Sequence, residues 1–174
     1  MNMTMLAVII NSTIRSTTPV LLAALGSAIC SQVGVFNIAL EGQILIGSFV
    51  AIVANYFTGN VYIAVLCGMA AGVLVASLVA VLQVKYKAAD MVIGTSVNLL
   101  VSGLTSVLLS TILGVKGSFS SPDLKSLPKI SIPVVSQIPF LGRVLEQLTF
   151  IDYLSYILAV AMFIYLYRTV QGFH

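Results

Sequence analysis

The sequence predicts an all-α protein, a polytopic transmembrane helix bundle of about five spans with one proline-rich extracytoplasmic loop. Three observations predict it. Of the 174 residues, 59% are hydrophobic and only 7% charged, where a soluble domain carries roughly a quarter. Apart from Arg15 and Glu41, the charged residues gather near positions 85–90, 116–152 and 168. The uncharged stretches between them reach, or closely approach, the roughly 20 apolar residues that a spanning helix needs. Such a chain cannot give itself a polar surface.

Taken in order, the N-terminal segment to residue 17 does not read as a cleavable signal, because Arg15 follows the apolar run Met5–Ile10 instead of preceding it. The apolar run Pro19–Cys30 is too short to span alone. It must borrow the polar run Asn11–Thr18 or lie partly re-entrant. Four further segments qualify as spans: Val35–Phe57, Val61–Val84, Met91–Val115 and Phe150–Tyr167. The first four spans thus fall within residues 18–115 and the last within 150–168, all in one membrane domain.

Between the first two spans lies Ser31–Gly42, polar and punctuated by glycine. It is either a simple cytoplasmic turn or a helix break at membrane depth, and broken backbone is tolerated there only where protein or a water-filled cavity surrounds it. Thr58-Gly59-Asn60 is short enough to make the second and third spans an antiparallel hairpin, and Lys85, Lys87 and Asp90 mark the next turn.

Residues 116–149 hold Pro122, Pro128, Pro133 and Pro139 in a serine-rich setting and cannot span. At their end, Phe140, Leu141, Val144, Leu145 and Leu148 recur at helical spacing opposite Arg143, Glu146 and Gln147. That pattern predicts a short amphipathic helix on the membrane surface. Lys85, Lys87 and Arg168 fall on one side of the bilayer, which the positive-inside bias makes cytoplasmic. The proline-rich loop then faces outward, as does the N-terminus, although Arg15 counts against the latter.

Two rows of residues stand out. Ala64, Gly68, Gly72, Ala76 and Ala80 recur every four residues and would let another helix approach closely. Gly94, Asn98, Ser102, Ser106 and Ser110 form a more polar row. Its hydrogen-bonding groups suit either a wetted pathway wall facing a polar solute or helix–helix hydrogen bonds, with Asn98 the best single candidate for solute contact. Glu41 is the one ionisable residue expected to be drawn into membrane-depth sequence, where it would cap or brace the break. The alternative places it at the interface as a first-turn acid beside a helix N-terminus.

Several functions are excluded. Eight basic residues spread along the chain form no patch for nucleic acid. No phosphate-binding G-x-x-x-x-G-K-[ST] motif is present, so the chain cannot cradle ATP phosphates itself. The sole histidine is the terminal His174, which leaves no histidine-based metal site or catalytic triad, and no cofactor is expected. Cys30 and Cys67 lie in apolar sequence and read as small buried hydrophobes.

The run Thr18-Pro19-Val20-Leu21-Leu22-Ala23-Ala24-Leu25-Gly26, followed by Gly34-Val35-Phe36-Asn37-Ile38-Ala39-Leu40-Glu41-Gly42-Gln43-Ile44-Leu45-Ile46-Gly47, resembles the permease subunits of bacterial ABC importers for nucleosides and simple sugars. These belong to the broader branched-chain amino acid and ribose permease superfamily. Asn98–Ser106, Ile138–Gly142 and Tyr167-Arg168-Thr169 with Gly172 carry further similarity. The resemblance implies a multi-pass subunit of the bacterial inner membrane. Its partners would be a second permease subunit, cytoplasmic ATPase subunits and an extracytoplasmic solute-binding protein. It also locates Asn37 and Glu41 in the family signature without giving them a role, and with Asn98, Ser102 and Ser106 of the polar row they make up the candidate pathway residues. Members of the family are about twice as long, and the sequence ends at His174 before the ATPase-docking stretch, so an N-terminal half is expected. Two rivals are a complete small substrate-capture subunit of a vitamin importer and a non-transporting membrane scaffold.

Overall fold

The computed structural model describes residues 3–115, 117–119, 121–122, 124–128 and 148–168. All regular structure among them is helical, and five helices are long and apolar enough to cross a membrane. They are α1 (Met3–Gln32), α2 (Leu40–Thr58), α3 (Val61–Ala80, continued by one π turn, Val81–Lys85), α4 (Asp90–Ile112) and α5 (Phe150–Arg168). They form two compact units, one holding α1 and α5 and the other, Val33–Ser126, holding α2, α3 and α4.

In the first unit, α1 takes in the polar run that the sequence left open and passes through Pro19 without ending. The hydroxyls of Thr13, Thr17 and Thr18 explain how the polar run is accommodated. Each donates to the carbonyl one turn earlier, at Ile9, Thr13 and Ile14, and so returns its polarity to its own helix. The segment before residue 18 is therefore part of the helix from Met3 on, and α1 is one continuous helix with no re-entrant portion.

The acid buried among the described helices is Asp152, only 6% exposed. Thr18 lies within hydrogen-bond distance of its Oδ1 at 2.6 Å, and Oδ2 accepts the Thr149 N–H at 2.7 Å, as the third residue of a helix does when it reaches back to its cap. Ser155, fully buried one turn on, donates to the Asp152 carbonyl. The pattern Thr149-x-x-Asp152 was available in the sequence as a capping signal. The surface helix expected over Phe140–Leu148 lies outside the described residues, except for Leu148, which is buried.

In the second unit, α2 lies between α3 and α4 and contacts both far more than they contact each other. The α2–α3 hairpin closes as the sequence predicts. Gly59 takes φ 60° and returns its N–H to the Asn55 carbonyl, and Asn60 caps α3 by accepting the Tyr62 N–H. Beside it, Asn55 donates to the Lys125 carbonyl at 2.8 Å and Tyr56 meets Phe119 edge-on, which pins the described part of the segment after α4 to the hairpin tip.

The α2–α3 contact is made by small residues. Ala64 and Gly68 are buried and Gly72 and Ala76 half-buried, while Ala80 is exposed. A Cβ placed on Gly68 would lie 2.7 Å from the Gly47 carbonyl oxygen and 3.0 Å from the Ala51 Cβ. The facing row is thus Gln43, Gly47 and Ala51, also four apart. The apolar core joins Ala39 and Ile46 to Val79 of α3 and to Ile93, Val97 and Val101 of α4. The outward faces carry large exposed apolar side chains such as Leu74 and Leu99, as lipid requires.

Gly68→Val is therefore expected to destabilise the helix bundle by about 1–3 kcal/mol, the usual cost of overpacking. Gly103→Ala, where nothing lies within 4 Å, is expected to leave stability unchanged. Thermal unfolding in detergent micelles measures both.

Candidate functional site

The chain leaves helical geometry after Gln32 and re-enters it at Leu40, with Gly34 at φ 74° making the first bend. Inside a membrane each backbone group freed by such a break needs a partner. Side chains supply them. Asn37 accepts the Ala39 N–H through Oδ1 at 3.1 Å and donates from Nδ2 to Gln43 Oε1 at 3.3 Å. Asn98, on α4, accepts the Gly42 N–H at 2.8 Å and donates to the Ile38 carbonyl at 3.1 Å, so one amide serves both sides of the re-entry into α2. Lower down, Asp90 accepts the Phe36 N–H at 3.1 Å and Gln83 donates to the Phe36 carbonyl at 3.4 Å.

Gly94 lies between these two anchor points. A Cβ there would come within 2.5 Å of the Ile38 Cβ, so only glycine lets the break come this close. Asp90, Gly94 and Asn98 are four residues apart, and the break follows them along about 12 Å of α4 at 1.5 Å per residue. The break thus runs alongside the first turns of a helix that is long and apolar enough to span.

The row from Gly94 through Asn98 divides at this point. Gly94 is buried and Asn98 half-buried beneath the break, whereas Ser102 and Ser106 are exposed. The face of α4 that meets α2 is the neighbouring ridge Ile93, Val97, Val101 and Thr105. The Asn98 row runs beside it, covered only as far as the break extends. Ser110 and Thr95 donate to carbonyls of their own helix.

Asn37 and Asn98 are thus brought together, and Ser102 and Ser106 continue upward from them. Glu41 is not drawn inward. It is exposed in the first turn of α2 and forms no hydrogen bond or ion pair with the described residues, so the bracing falls to Asn37, Asn98, Gln83 and Asp90. The carboxylate favours that position because the first turn of a helix presents unpaired N–H groups.

Three participants were not singled out from sequence. Asp90 extends the four-residue row one step before Gly94, a signal that was present. Gln83 is brought in by the π turn, and Gln43 has its Nε2 buried without a partner among the described residues. Neither carried a sequence mark. Amides, glycines and hydroxyls in this arrangement offer hydrogen bonds but no nucleophile–base pair, and no cluster among the described residues could hold a metal.

Residues 9–174 match the family described as branched-chain amino acid transport system / permease component. The chain is 28% identical to a putative glucose ABC transporter permease protein of Haloferax volcanii, over 98% of this chain and 51% of the relative. It is 32% identical to a guanosine ABC transporter permease protein of Bacillus subtilis, over 90% and 50%. A nucleoside ABC transporter permease protein of Lactococcus lactis is 26% identical, over 96% and 54%. The chain therefore spans about half the length of the curated relatives it matches. No solved structure matches it.

Asn98→Leu removes the partners of the Gly42 N–H and the Ile38 carbonyl together, at about 1–3 kcal/mol for each group left unpaired. Both folded yield and thermal stability in micelles are expected to fall. Gly94→Ala should act in the same direction by pushing Ile38 away.

Proposed function

We propose a transport function from the premise that this chain belongs to the branched-chain amino acid transport system permease-component family. The chain supplies part of the translocation pathway of an ATP-binding-cassette importer for a nucleoside or simple sugar. It sits in the plasma membrane and works with a second permease subunit, cytoplasmic ATPases and an extracytoplasmic solute-binding protein. The observation that carries this reading is the amide-braced break beside the first turns of α4, with Ser102 and Ser106 exposed beyond it on the same row. Relatives named for glucose, guanosine and nucleosides take solutes rich in hydroxyls and ring nitrogens, and a wall of amides and hydroxyls offers the matching donors and acceptors. ATP hydrolysis belongs to a separate subunit, since this sequence carries no phosphate-binding loop.

The scaffold alternative is weakened by the α2–α3 contact. The small-residue row it would use for oligomers is occupied within the chain, where Gly68 meets Gly47.

Proteoliposomes holding the intact permease that carries this sequence, with its ATPase and binding protein, should take up labelled nucleosides or sugars when ATP is present. No ATP-dependent uptake of any of them sinks the importer reading. Ser102→Leu and Ser106→Leu should lower uptake several-fold at unchanged thermal stability, because leucine removes a hydroxyl and narrows the wall. Unchanged uptake would assign both serines to lipid.

A further inference from the structure

The lower half of the break is held differently from the upper half. Val33 and Phe36 are exposed, Phe36 at 65%, and nothing lies within 4 Å of a Cβ built on Gly34. The next fully buried apolar residue is Ala39, 0% exposed. Before Asn37, the side chains of the described helices grip the break at one residue, with Asp90 on the Phe36 N–H and Gln83 on the Phe36 carbonyl.

These two side chains come from either side of one turn. Gln83, itself 7% exposed, sits in the π turn that ends α3, and Asp90 opens α4. The i→i+5 bond from the Tyr86 N–H to the Val81 carbonyl inserts the extra residue that turns Gln83 toward the break. The turn between them carries Lys85 and Lys87, the charges that place it on the cytoplasmic side. A segment with few buried contacts, held by hydrogen bonds at one residue, opens at low cost.

We propose that the break is a gate on the cytoplasmic side of the pathway, and that Asp90 and Gln83 are positioning residues that hold it shut by gripping the backbone of Phe36. This rests on the importer reading. A displacement of the Lys85–Asp90 turn would release the Phe36 N–H and carbonyl together. The Asn98 bond to the Ile38 carbonyl is then the last hold on residues 33–38, and they swing away from Gly94 as it yields, while Asn98 keeps the Gly42 N–H. The gate is thereby tied mechanically to the surface that faces the cytoplasm.

Ala39 is the reporter, buried only while the break is closed. In the intact permease, with Cys30→Ala and Cys67→Ala, the Ala39→Cys thiol should react slowly with a membrane-impermeant maleimide applied from the cytoplasmic side. Asp90→Ala and Gln83→Leu should each speed labelling about tenfold, the shift expected from one lost hydrogen bond to a charged or buried group. Asp90→Asn, which keeps an oxygen for the Phe36 N–H, should stay slow. Should Asp90→Ala not fold, Gln83→Leu carries the test alone. Labelling no faster than in the parent, or Asp90→Asn as fast as Asp90→Ala, overturns the latch. Solute leak without ATP should rise with labelling. Faster labelling without leak overturns the gate while leaving the importer reading intact, whereas that reading fails separately if the parent shows no ATP-driven uptake.

Discussion

Backbone that leaves the helix inside hydrocarbon must find a partner for every N–H and C=O it frees, because no water is there to serve. In this chain the constraint falls on residues 33–42, and Asn98 meets the largest share of it. Its amide presents a donor and an acceptor in one plane, and both are used, on Ile38 and on Gly42. Serine could supply one bond strongly and leucine none. The rest of the second unit follows from this bridge. It fixes where α2 starts relative to α4, and α2 in turn is the helix that both its neighbours pack against.

Close approach is the second requirement, and the glycines that meet it are placed by the same logic. Gly94 lets Ile38 reach α4, and Gly68 lets Gly47 reach α3. Where lipid removes the hydrophobic drive for helix association, van der Waals contact and hydrogen bonds remain, and both fall off steeply with distance. A methyl group at either glycine would therefore cost contact along the whole interface as well as at one atom pair.

The number of spans, the hairpin at Thr58–Asn60 and the small-residue row were legible because each depends on local sequence alone: length, turn chemistry, period. The partner row on α2 was harder to see, since Gln43, Gly47 and Ala51 sit among equally apolar residues. The break was legible as an interruption, but its depth was not, because depth is set by which turns of α4 lie alongside it. That is also why the polar row looked uniform. Gly94, Asn98, Ser102 and Ser106 share a spacing, and only the reach of the break separates the two that are covered from the two that are not.

Glu41 and Asp152 show where residue type misleads. The glutamate lies in the most distinctive motif of the chain and remains exposed, while the aspartate lies in an ordinary helix start and is buried. Burial of a carboxyl depends on whether donors converge on it. Around Asp152 the Thr149 N–H does so, and the Thr18 side chain lies within hydrogen-bond distance. At the start of α2 the Ala39 and Gly42 N–H groups are taken by Asn37 and Asn98, and no donor side chain converges on Glu41 among the described residues. Neutral amides thus brace the end of the break that leads into α2, while the one carboxylate among its braces, Asp90, holds the other end at Phe36.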